Sequence, residues 1–285
     1  MVKVLVTGVK GQLGYDVVRE LEKRNIEAIG CDMGEFDLTD REQTVNFIVN
    51  AKPDAVVHCA AYTAVDRAED DREVCYKVNV LGTRYVREAA EKIGAKLAYF
   101  STDYVFDGEG EEAWKTTDKP DPVNYYGETK YLGEKEVLVY PKSFIFRISW
   151  VFGINGKNFI KTMLRLGGEK PSLTVVSDQI GSPTYTYDLA KLVVDAIFTD
   201  KYGVYHATNE GYCSWYEFAA EIMKEAGLPC KITPVTSDGY PTRARRPHNS
   251  RMDKSALTDN GFALLPPWQD ALKRYLTEIK ENGTN

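Results

Sequence analysis

A glycine-rich segment near the start of the chain, Gly8-Val9-Lys10-Gly11-Gln12-Leu13-Gly14, separates two stretches of different periodicity. The β-branched run Val2–Thr7 predicts a strand before it, and apolar residues at helical spacing in Tyr15–Leu21 predict a helix after it. A strand, a glycine turn and a helix in this order direct backbone N–H groups and the positive end of the helix to one place, which suits a pyrophosphate. The first glycine permits a tight turn, the second lets the backbone approach the phosphates, and the third lets the helix pack on the strand. The predicted dinucleotide contacts are Gly8, Gly11, Gln12, Leu13 and Gly14.

Length and composition exclude several classes of protein. A chain of 285 residues with 43% hydrophobic and 12% aromatic residues can bury one large α/β core or two modest ones. The net charge of −6 argues against a nucleic-acid or acidic-membrane partner. Five scattered cysteines without a C-x-x-C pair indicate neither zinc nor a disulfide framework. Since neither a signal-peptide pattern nor a long apolar run is present, we expect a reduced, cytoplasmic protein.

Strand-like and helix-like stretches alternate through the first half. This alternation implies right-handed crossovers and a parallel sheet covered on both faces, which is a doubly wound, Rossmann-like α/β fold. The longest helix is predicted from Arg72 to Ile93. The predicted strands are Val2–Thr7, Ile26–Cys31, Ala55–Cys59, Leu97–Phe100 and Phe144–Ile148.

The rhythm changes from about Gly153, where the predicted strands become shorter. We expect residues 1–152 to form the dinucleotide-binding domain and residues 153–285 to form mainly a smaller α/β lobe for the substrate. We leave open that some segments of residues 153–285 belong to the first domain. The predicted elements are strands Leu173–Val176, Gly203–His206 and Lys231–Val235, and helices Tyr187–Phe198, Ser214–Ala226 and, after Pro266-Pro267, Trp268 to Ile279.

The cofactor form is left open by two opposing signals. Asp32 follows the second strand, where a carboxylate accepts hydrogen bonds from the adenosine ribose and favours NAD. Lys10, within the glycine loop, would instead neutralise the 2′-phosphate of NADP. Asp37 and Leu38 are predicted to border the adenine, although Asp37 or Thr39 could equally cap the helix that begins near Asp40.

Small residues follow the third strand in Ala60-Ala61-Tyr62. Small side chains at a strand end let a cofactor lie close to the backbone, and they are also ordinary packing residues. We include Ala60, Ala61 and Tyr62 among the predicted cofactor contacts.

Tyr126 and Lys130 are four residues apart, which places a phenol and an ammonium on one helix face. A free tyrosine has a pKa near ~10, and a nearby lysine cation lowers that pKa, so the pair forms a tunable acid. Asn124 is the predicted N-cap, which puts Tyr126 in the first helical turn. The fourth strand ends at Thr102, beyond the carboxyl edge of the sheet where ligands bind. Thr102 could alternatively only cap or finish that strand.

Two further Tyr-x-x-x-Lys pairs occur, Tyr131…Lys135 and Tyr187…Lys191. Tyr131 is five residues beyond Tyr126 and faces elsewhere on the same helix, and Tyr187 is far along the chain from the glycine loop. We therefore expect Tyr126 and Lys130 to be the catalytic pair.

The glycine loop, the strand-end Ser101-Thr102 and the Tyr-x-x-x-Lys pair together resemble the extended short-chain dehydrogenases/reductases. Within that superfamily the chain is similar to the dTDP-4-dehydrorhamnose reductases. The segments that carry this resemblance span nearly the whole sequence: Ala60–Asp66, Ser101–Phe106, Arg147–Gly153, Asp178–Thr184 and Arg246–Ser250.

The resemblance implies reduction of the 4-keto group of dTDP-4-dehydro-β-L-rhamnose by hydride from NADH or NADPH. Tyr126 would protonate the nascent alkoxide and Lys130 would tune Tyr126 and bind the nicotinamide ribose, which makes both residues cofactor contacts as well. Thr102 would polarise the carbonyl. Asp103 and Trp150 would hold the sugar.

Arg246 and Asn249 would contact the nucleotide-diphosphate end of the substrate, although Arg243 and Arg245 compete for that role. Some family members dimerise through carboxylates bridged by Mg²⁺, with a glutamate directly after the last loop glycine. This chain has Tyr15-Asp16 there, so no metal is predicted, and either a monomer or a homodimer is expected.

Two alternative functions stay open on sequence alone, and a third, dehydration, is excluded. An epimerase would use the same Tyr126 and Lys130 but retain its NAD tightly. A dehydratase needs a glutamate after Asp103, where this chain has Tyr104. A non-catalytic nucleotide-binding regulatory subunit of the same fold would not require the intact trio of Thr102, Tyr126 and Lys130.

Overall fold

The computed structural model describes residues 2–283 and is built around a six-stranded parallel sheet. The strands are β1 (Lys3–Thr7), β2 (Glu27–Cys31), β3 (Ala55–His58), β4 (Lys96–Thr102), β5 (Ser143–Ile148), β6 (Val151–Phe152), β7 (Ser172–Val176), β8 (Ile180–Gly181), β9 (Thr184–Tyr185), β10 (Gly203–His206), β11 (Asn209–Glu210), β12 (Cys213–Ser214), β13 (Lys231–Val235) and β14 (Leu265–Pro267). The helices are α1 (Gln12–Lys23), α2 (Arg41–Ala51), α3 (Val65–Ala68), α4 (Arg72–Tyr76), α5 (Thr83–Ile93), α6 (Tyr125–Leu138), α7 (Phe159–Glu169), α8 (Thr186–Ile197), α9 (Trp215–Ala226), α10 (Ser255–Asp259) and α11 (Trp268–Glu281).

The sheet has the order β10-β5-β4-β3-β1-β2, and every neighbouring pair is parallel. Its central strands are buried on both faces, as every residue of β3 and β5 shows. Apolar side chains of α1 and α8 cover one face, and those of α2, α5 and α6 cover the other. The predicted doubly wound, Rossmann-like fold is confirmed.

The strand Gly203–His206 differs from its expected place among the short strands of the second half. It pairs in parallel with β5 and forms an edge of the central sheet. The pattern of a short buried strand does not specify its partner, so only the three-dimensional structure reveals this return. The division at residue 152 stays a prediction.

The second half has a core of its own. Phe152, Phe218, Trp268 and Tyr275 belong to a buried cluster distinct from the two clusters on the faces of the sheet. Small two-stranded pairings, such as the parallel pair of β7 and β13, accompany it. Helices α7, α9 and α11 supply most of its remaining side chains.

The helix predicted from Arg72 to Ile93 is divided into α4 and α5 by a π-helical turn, Lys77–Gly82. This turn contains Asn79, a buried amide. Asn79 binds both backbone polar atoms of Tyr62, at 2.8 and 3.1 Å, and donates to the Thr129 hydroxyl at 3.0 Å. The irregular turn thus connects the segment after β3 to helix α6, as π-turns at functional sites do.

Helix α6 is fastened to the sheet by a buried ion pair. Arg147 of β5 donates from Nε and Nη2 to the two carboxylate oxygens of Glu134, both at 2.8 Å. The side chains are 5% and 0% exposed, so neither charge has water as an alternative partner. Removing one partner would leave the other charge buried and uncompensated.

We expect Glu134→Gln to lower the free energy of unfolding by about 3 kcal/mol, because the charge of Arg147 loses its counterion in a dry site. Urea unfolding followed by circular dichroism measures this change. Glu128→Gln, at an exposed position of the same helix, is the matched control and should change stability by less than about 0.5 kcal/mol. Equal stability of both variants would contradict the role given to the ion pair.

Candidate active site

The carboxyl ends of β1, β3, β4 and β5 open into a cavity of about 1190 Å³. All but two of the residues predicted from the sequence to form the site line this cavity. They are Gly8, Gly11, Gln12, Leu13, Gly14, Asp32, Asp37, Leu38, Ala60, Ala61, Tyr62, Thr102, Asp103, Tyr126, Lys130 and Trp150.

The glycine loop is packed so closely that a side chain at Gly8 or Gly14 would clash with the backbone. A Cβ on Gly14 would lie 2.3 Å from the carbonyl oxygen of Gly8, and one on Gly8 would lie 2.8 Å from the nitrogen of Ala60. Gly8 also has a φ of +69°, in the left-handed region. Gly11 is the N-cap of α1 and contributes no side-chain cap, so the first N–H groups of this helix are available to an anion. The loop fits a dinucleotide pyrophosphate.

Asp32 and Lys10, which favour different forms of the cofactor, lie beside one another at the expected adenosine end of the cavity. The Asp32 carboxylate accepts hydrogen bonds from the backbone N–H of Lys10 at 3.0 Å and of Met33 at 2.9 Å. Both Asp32 and Lys10 line the cavity, which places a carboxylate and an ammonium where an adenosine ribose or its phosphate would lie.

Neither Asp37 nor Thr39 caps helix α2, which is a correction to the alternative interpretation. Asp40 is the N-cap, and its carboxylate accepts from the backbone N–H of Gln43 at 3.0 Å. Asp37 instead accepts from the backbone and hydroxyl of Thr39, both at 2.8 Å. This local turn keeps Asp37 and Leu38 at the cavity wall.

Tyr126 and Lys130 occupy the start of α6 as predicted. The Asn124 side chain accepts from the backbone N–H of Gly127 at 2.8 Å, which confirms Asn124 as the N-cap and places Tyr126 in the first turn. The other two tyrosine–lysine pairs are absent from the cavity lining. Each forms an internal cation–π contact, Lys135 over Tyr131 and Lys191 over Tyr187.

Thr102 connects the catalytic pair to a buried carboxylate. Its hydroxyl donates to Asp103 at 2.9 Å and accepts from the backbone N–H of Tyr104 at 3.2 Å. The Thr102 hydroxyl also opposes the rise in the pKa of Tyr126. Asp103 accepts a second hydrogen bond from the Ser250 hydroxyl. Burial raises the pKa of Asp103 to about 6, although both hydroxyl donors oppose the shift.

Burial, rather than mutual attraction, dominates the titration of the catalytic pair. Removal from water raises the pKa of Tyr126 well above its usual value, and the nearby charge of Asp103 adds to that rise. Burial lowers the pKa of Lys130 to about 7, against a smaller upward effect of Glu134. The net direction for Tyr126 is thus opposite to the lowering of its pKa expected from Lys130, because desolvation penalises the charged phenolate.

The environment of Lys130 is apolar for an ammonium. The side chain is 3% exposed, and its Nζ lies 4.2 Å from the centre of the Tyr99 ring. Lys130 forms no ion pair within residues 2–283. A lysine in such surroundings exchanges its proton near neutral pH.

The second half of the chain is fastened directly to the glycine loop. The Gln12 side chain accepts from the backbone N–H of Gly153 at 2.9 Å and from the Asn158 amide at 3.0 Å. Asn155 donates to the carbonyl oxygen of Lys10 at 2.7 Å. These contacts join the second half of the chain to the loop that is expected to hold the pyrophosphate.

The two predicted residues outside the cavity lining are Arg246 and Asn249. Arg246 donates to Asp66 at 2.7 Å and to the Tyr104 hydroxyl at 3.2 Å, and Tyr104 itself lines the cavity. Arg246 therefore lies behind Tyr104 and is separated from the cavity by that side chain. Asn249 is 1% exposed and donates to the carbonyl oxygen of Glu112 at 2.8 Å. This geometry uses Asn249 to hold a loop and does not support its predicted substrate contact.

Sequence reasoning missed several residues of the site. Trp215 and Lys157, both from the second half, line the cavity, and Asn79 supports it from behind. The N-cap pattern at Ser214 predicts a helix that begins at Trp215, but it does not predict that this helix reaches the cavity. Such contacts between distant segments leave no local pattern in a sequence.

Asp16, at the position considered for a bridging metal, is fully buried and bonded to the Thr186 hydroxyl and to Arg19 at 2.8 Å. Arg19 also donates to Glu278 at 2.7 Å, so a guanidinium connects the two carboxylates. Across residues 2–283, no group of three or more His, Cys, Asp or Glu side chains is arranged to hold a metal ion. Within the same range, every helix is too short or too polar to cross a bilayer.

The doubly wound sheet, the glycine loop and the Tyr126–Lys130 pair define a short-chain dehydrogenase/reductase. The family described as the RmlD substrate binding domain matches residues 2–281, and the chain belongs to this family. Its relatives include dTDP-4-dehydrorhamnose reductases.

Three similar proteins illustrate the relationship. The spore coat polysaccharide biosynthesis protein SpsK of Bacillus subtilis is 42% identical, over 98% of each chain. The dTDP-4-dehydrorhamnose reductase of Escherichia coli K12 is 39% identical, over 97% of each. The crystal structure of the Bacillus anthracis dTDP-4-dehydrorhamnose reductase in complex with NADP is 41% identical, with a TM-score of 0.95 over 98% of this chain and 100% of that one.

We expect the buried ammonium of Lys130 to make stability depend on pH. The unfolded chain binds this proton up to a pKa near ~10.4, whereas the folded chain releases it at about 7. The folded state therefore gains stability as pH rises between these values, and below pH 7 it carries the full desolvation cost. Lys130→Met removes that cost, so its stabilising effect should be about 2 kcal/mol larger at pH 6.5 than at pH 9.

Urea unfolding of both proteins at the two pH values measures this difference. Lys135→Met, at an exposed position of the same helix, is the control and should show a pH-independent effect. A Lys130→Met effect that is equal at pH 6.5 and pH 9 would show that the lysine is not held in a desolvated site.

Proposed function

We propose that this protein reduces the 4-keto group of dTDP-4-dehydro-β-L-rhamnose to dTDP-L-rhamnose, with NADPH or NADH as hydride donor. The observation that carries the proposal is a single cavity that joins the glycine loop of a dinucleotide site to Thr102, Tyr126 and Lys130. Family membership and relatives of nearly equal length support it.

A nicotinamide dinucleotide supplies the hydride when it is bound. The glycine loop and the N-terminus of α1 would hold the pyrophosphate, while Asp32 and Lys10 would face the adenosine ribose. Ala60, Ala61 and Tyr62 would lie along the cofactor, and Lys130 would hold the nicotinamide ribose. The relative from Bacillus anthracis that was crystallised with NADP supports this class of cofactor.

Tyr126 would donate the proton to the oxygen of the reduced carbonyl. Its raised pKa keeps the phenol protonated at neutral pH, as an acid must be before hydride arrives. A secondary alkoxide is a stronger base than a phenolate, so proton transfer stays downhill. Lys130, with a pKa of about 7, can then return a proton to the Tyr126 oxygen.

Thr102 has one hydroxyl proton, and in this structure that proton points to Asp103. Thr102 can polarise the substrate carbonyl only when its proton turns toward the carbonyl oxygen. A protonated Asp103 would donate to Thr102 and permit that turn, and its pKa of about 6 makes the protonated form accessible near neutral pH. We therefore assign Asp103 control of the Thr102 hydroxyl besides its expected contact with the sugar.

Family membership and the residues that line the cavity also favour the reductase over its alternatives. The Thermus thermophilus UDP-glucose 4-epimerase shares the fold with a TM-score of 0.83 but is only 21% identical, so it indicates fold alone. A non-catalytic subunit would not need Thr102, Tyr126 and Lys130 together at a cavity wall.

We further propose that residues 1–152 form the dinucleotide-binding domain and residues 153–285 mainly the substrate lobe, with β10 returned to the sheet. Trp150 would contact the sugar, and Arg246 would approach the diphosphate from behind Tyr104. A cytoplasmic location, where nicotinamide dinucleotides are available, and a monomer or homodimer complete the proposal.

The proposed activity is tested by NADPH and NADH oxidation with dTDP-4-dehydro-L-rhamnose generated in situ by the enzymes that precede it. Tyr126→Phe should lower turnover by on the order of 10²-fold or more and leave cofactor affinity nearly unchanged, because only the proton donor is lost. Tyr131→Phe, on another face of the same helix, should retain turnover. Wild-type turnover in Tyr126→Phe would remove this residue from the acid role.

The cofactor preference is tested by two reciprocal variants. Asp32→Ala should weaken NADH more than NADPH, because the carboxylate serves the unphosphorylated ribose. Lys10→Gln should weaken NADPH more than NADH, because the ammonium serves the 2′-phosphate. Fluorescence titration with both cofactors measures each affinity. Equal weakening of both by Asp32→Ala would show that the carboxylate is structural and acts through its backbone hydrogen bonds.

A further inference from the structure

Trp150 has a backbone conformation that is unusual for its residue type. It follows the end of β5 with a φ of +48°, in the left-handed region that favours glycine. Strained residues of this kind persist where the surroundings hold them, and they concentrate at ligand sites. The position of the Trp150 ring is therefore enforced by its neighbours.

Two neighbours enclose that ring. The Trp215 indole stacks on it, with ring centres 3.7 Å apart and planes inclined by 14°. On Gly181, a Cβ would lie 3.0 Å from Cε2 of Trp150, so the glycine leaves just the space that the ring needs. Phe159 supports Trp215 with ring centres 4.6 Å apart. Trp150 and Trp215 together form what we term the aromatic wall.

The aromatic wall belongs to the same cavity as Tyr126 and Thr102. Trp215 is the first residue of α9, and a capping box between Ser214 and Glu217 fixes the start of this helix. Among residues 2–283, neither indole N–H of the wall has a protein acceptor. The wall thus combines a fixed apolar surface with two N–H groups available to a ligand.

We propose that Trp215 is a specificity-determining residue, which positions Trp150 and forms with it a surface for the apolar face of the deoxysugar. This inference rests on the proposed function, since it assigns the sugar part of that nucleotide-sugar substrate to the wall. A deoxysugar ring offers C–H groups and a methyl group that lose no hydrogen bonds against the parts of the two indoles that line the cavity. A nucleotide without the sugar should not use the wall.

Isothermal titration of the full chain with dTDP-L-rhamnose and with dTDP tests the proposal. The wild type should bind dTDP-L-rhamnose more tightly than dTDP. Trp215→Ala should weaken dTDP-L-rhamnose by roughly tenfold or more, as loss of an apolar pocket contact does. The affinity for dTDP should change by less than about twofold. A purely structural role would not alter the ratio of the two affinities.

Gly181→Ala is the second variant and applies if Trp215→Ala fails to fold. Its methyl group would press on the Trp150 ring and on Cβ of Ser250, so the affinity ratio should fall in the same direction by a smaller factor. Trp114→Phe is the matched control, because Trp114 stacks on Phe106 outside the cavity lining and should leave the ratio unchanged.

Equal weakening of dTDP and dTDP-L-rhamnose by Trp215→Ala, or an unchanged ratio in the variant that folds, would overturn the assignment of the wall to the sugar. A wild type that binds dTDP-L-rhamnose no better than dTDP would instead count against the proposed function. The two failures are therefore distinguishable.

Discussion

The buried ion pair of Glu134 and Arg147 is the interaction on which the geometry of the site depends. It joins the helix that carries Tyr126 and Lys130 to the strand whose end carries Trp150. Because both charges are withdrawn from water, only one relative position of helix and strand satisfies them. The acid, its lysine and the aromatic wall are thereby held in one frame.

The same burial decides the protonation chemistry. Desolvation disfavours the charged forms of Tyr126, Lys130 and Asp103 alike, so all three pKa values shift toward the neutral species. A phenol that stays protonated suits the direction of ketone reduction, whereas a preformed phenolate would suit alcohol oxidation. The exclusion of water thus determines the protonation states of the site as much as its charged groups do.

The sequence was informative where a local rule determines the structure. The glycine loop, the Asn124 cap and the choice of Tyr126 over Tyr131 all follow from spacing within a few residues. Long-range contacts were not accessible in this way. Nothing in Gly203–His206 specifies a partner strand, and nothing near Trp215 indicates that its ring reaches Trp150. The cap of α2 was misplaced because Asp37, Thr39 and Asp40 are all chemically able to cap.

The hydrogen bonds from Gln12 and Asn155 give the molecule a property that its two cores alone would not. They join the glycine loop, at the point where α1 begins, to Gly153 and Asn155 in the second half of the chain. Asn158 caps α7 and also donates to Gln12, so the side chain that contacts the glycine loop region also contacts the start of α7. One glutamine side chain thus fastens the beginning of the nucleotide site to the beginning of a helix in the other half of the chain.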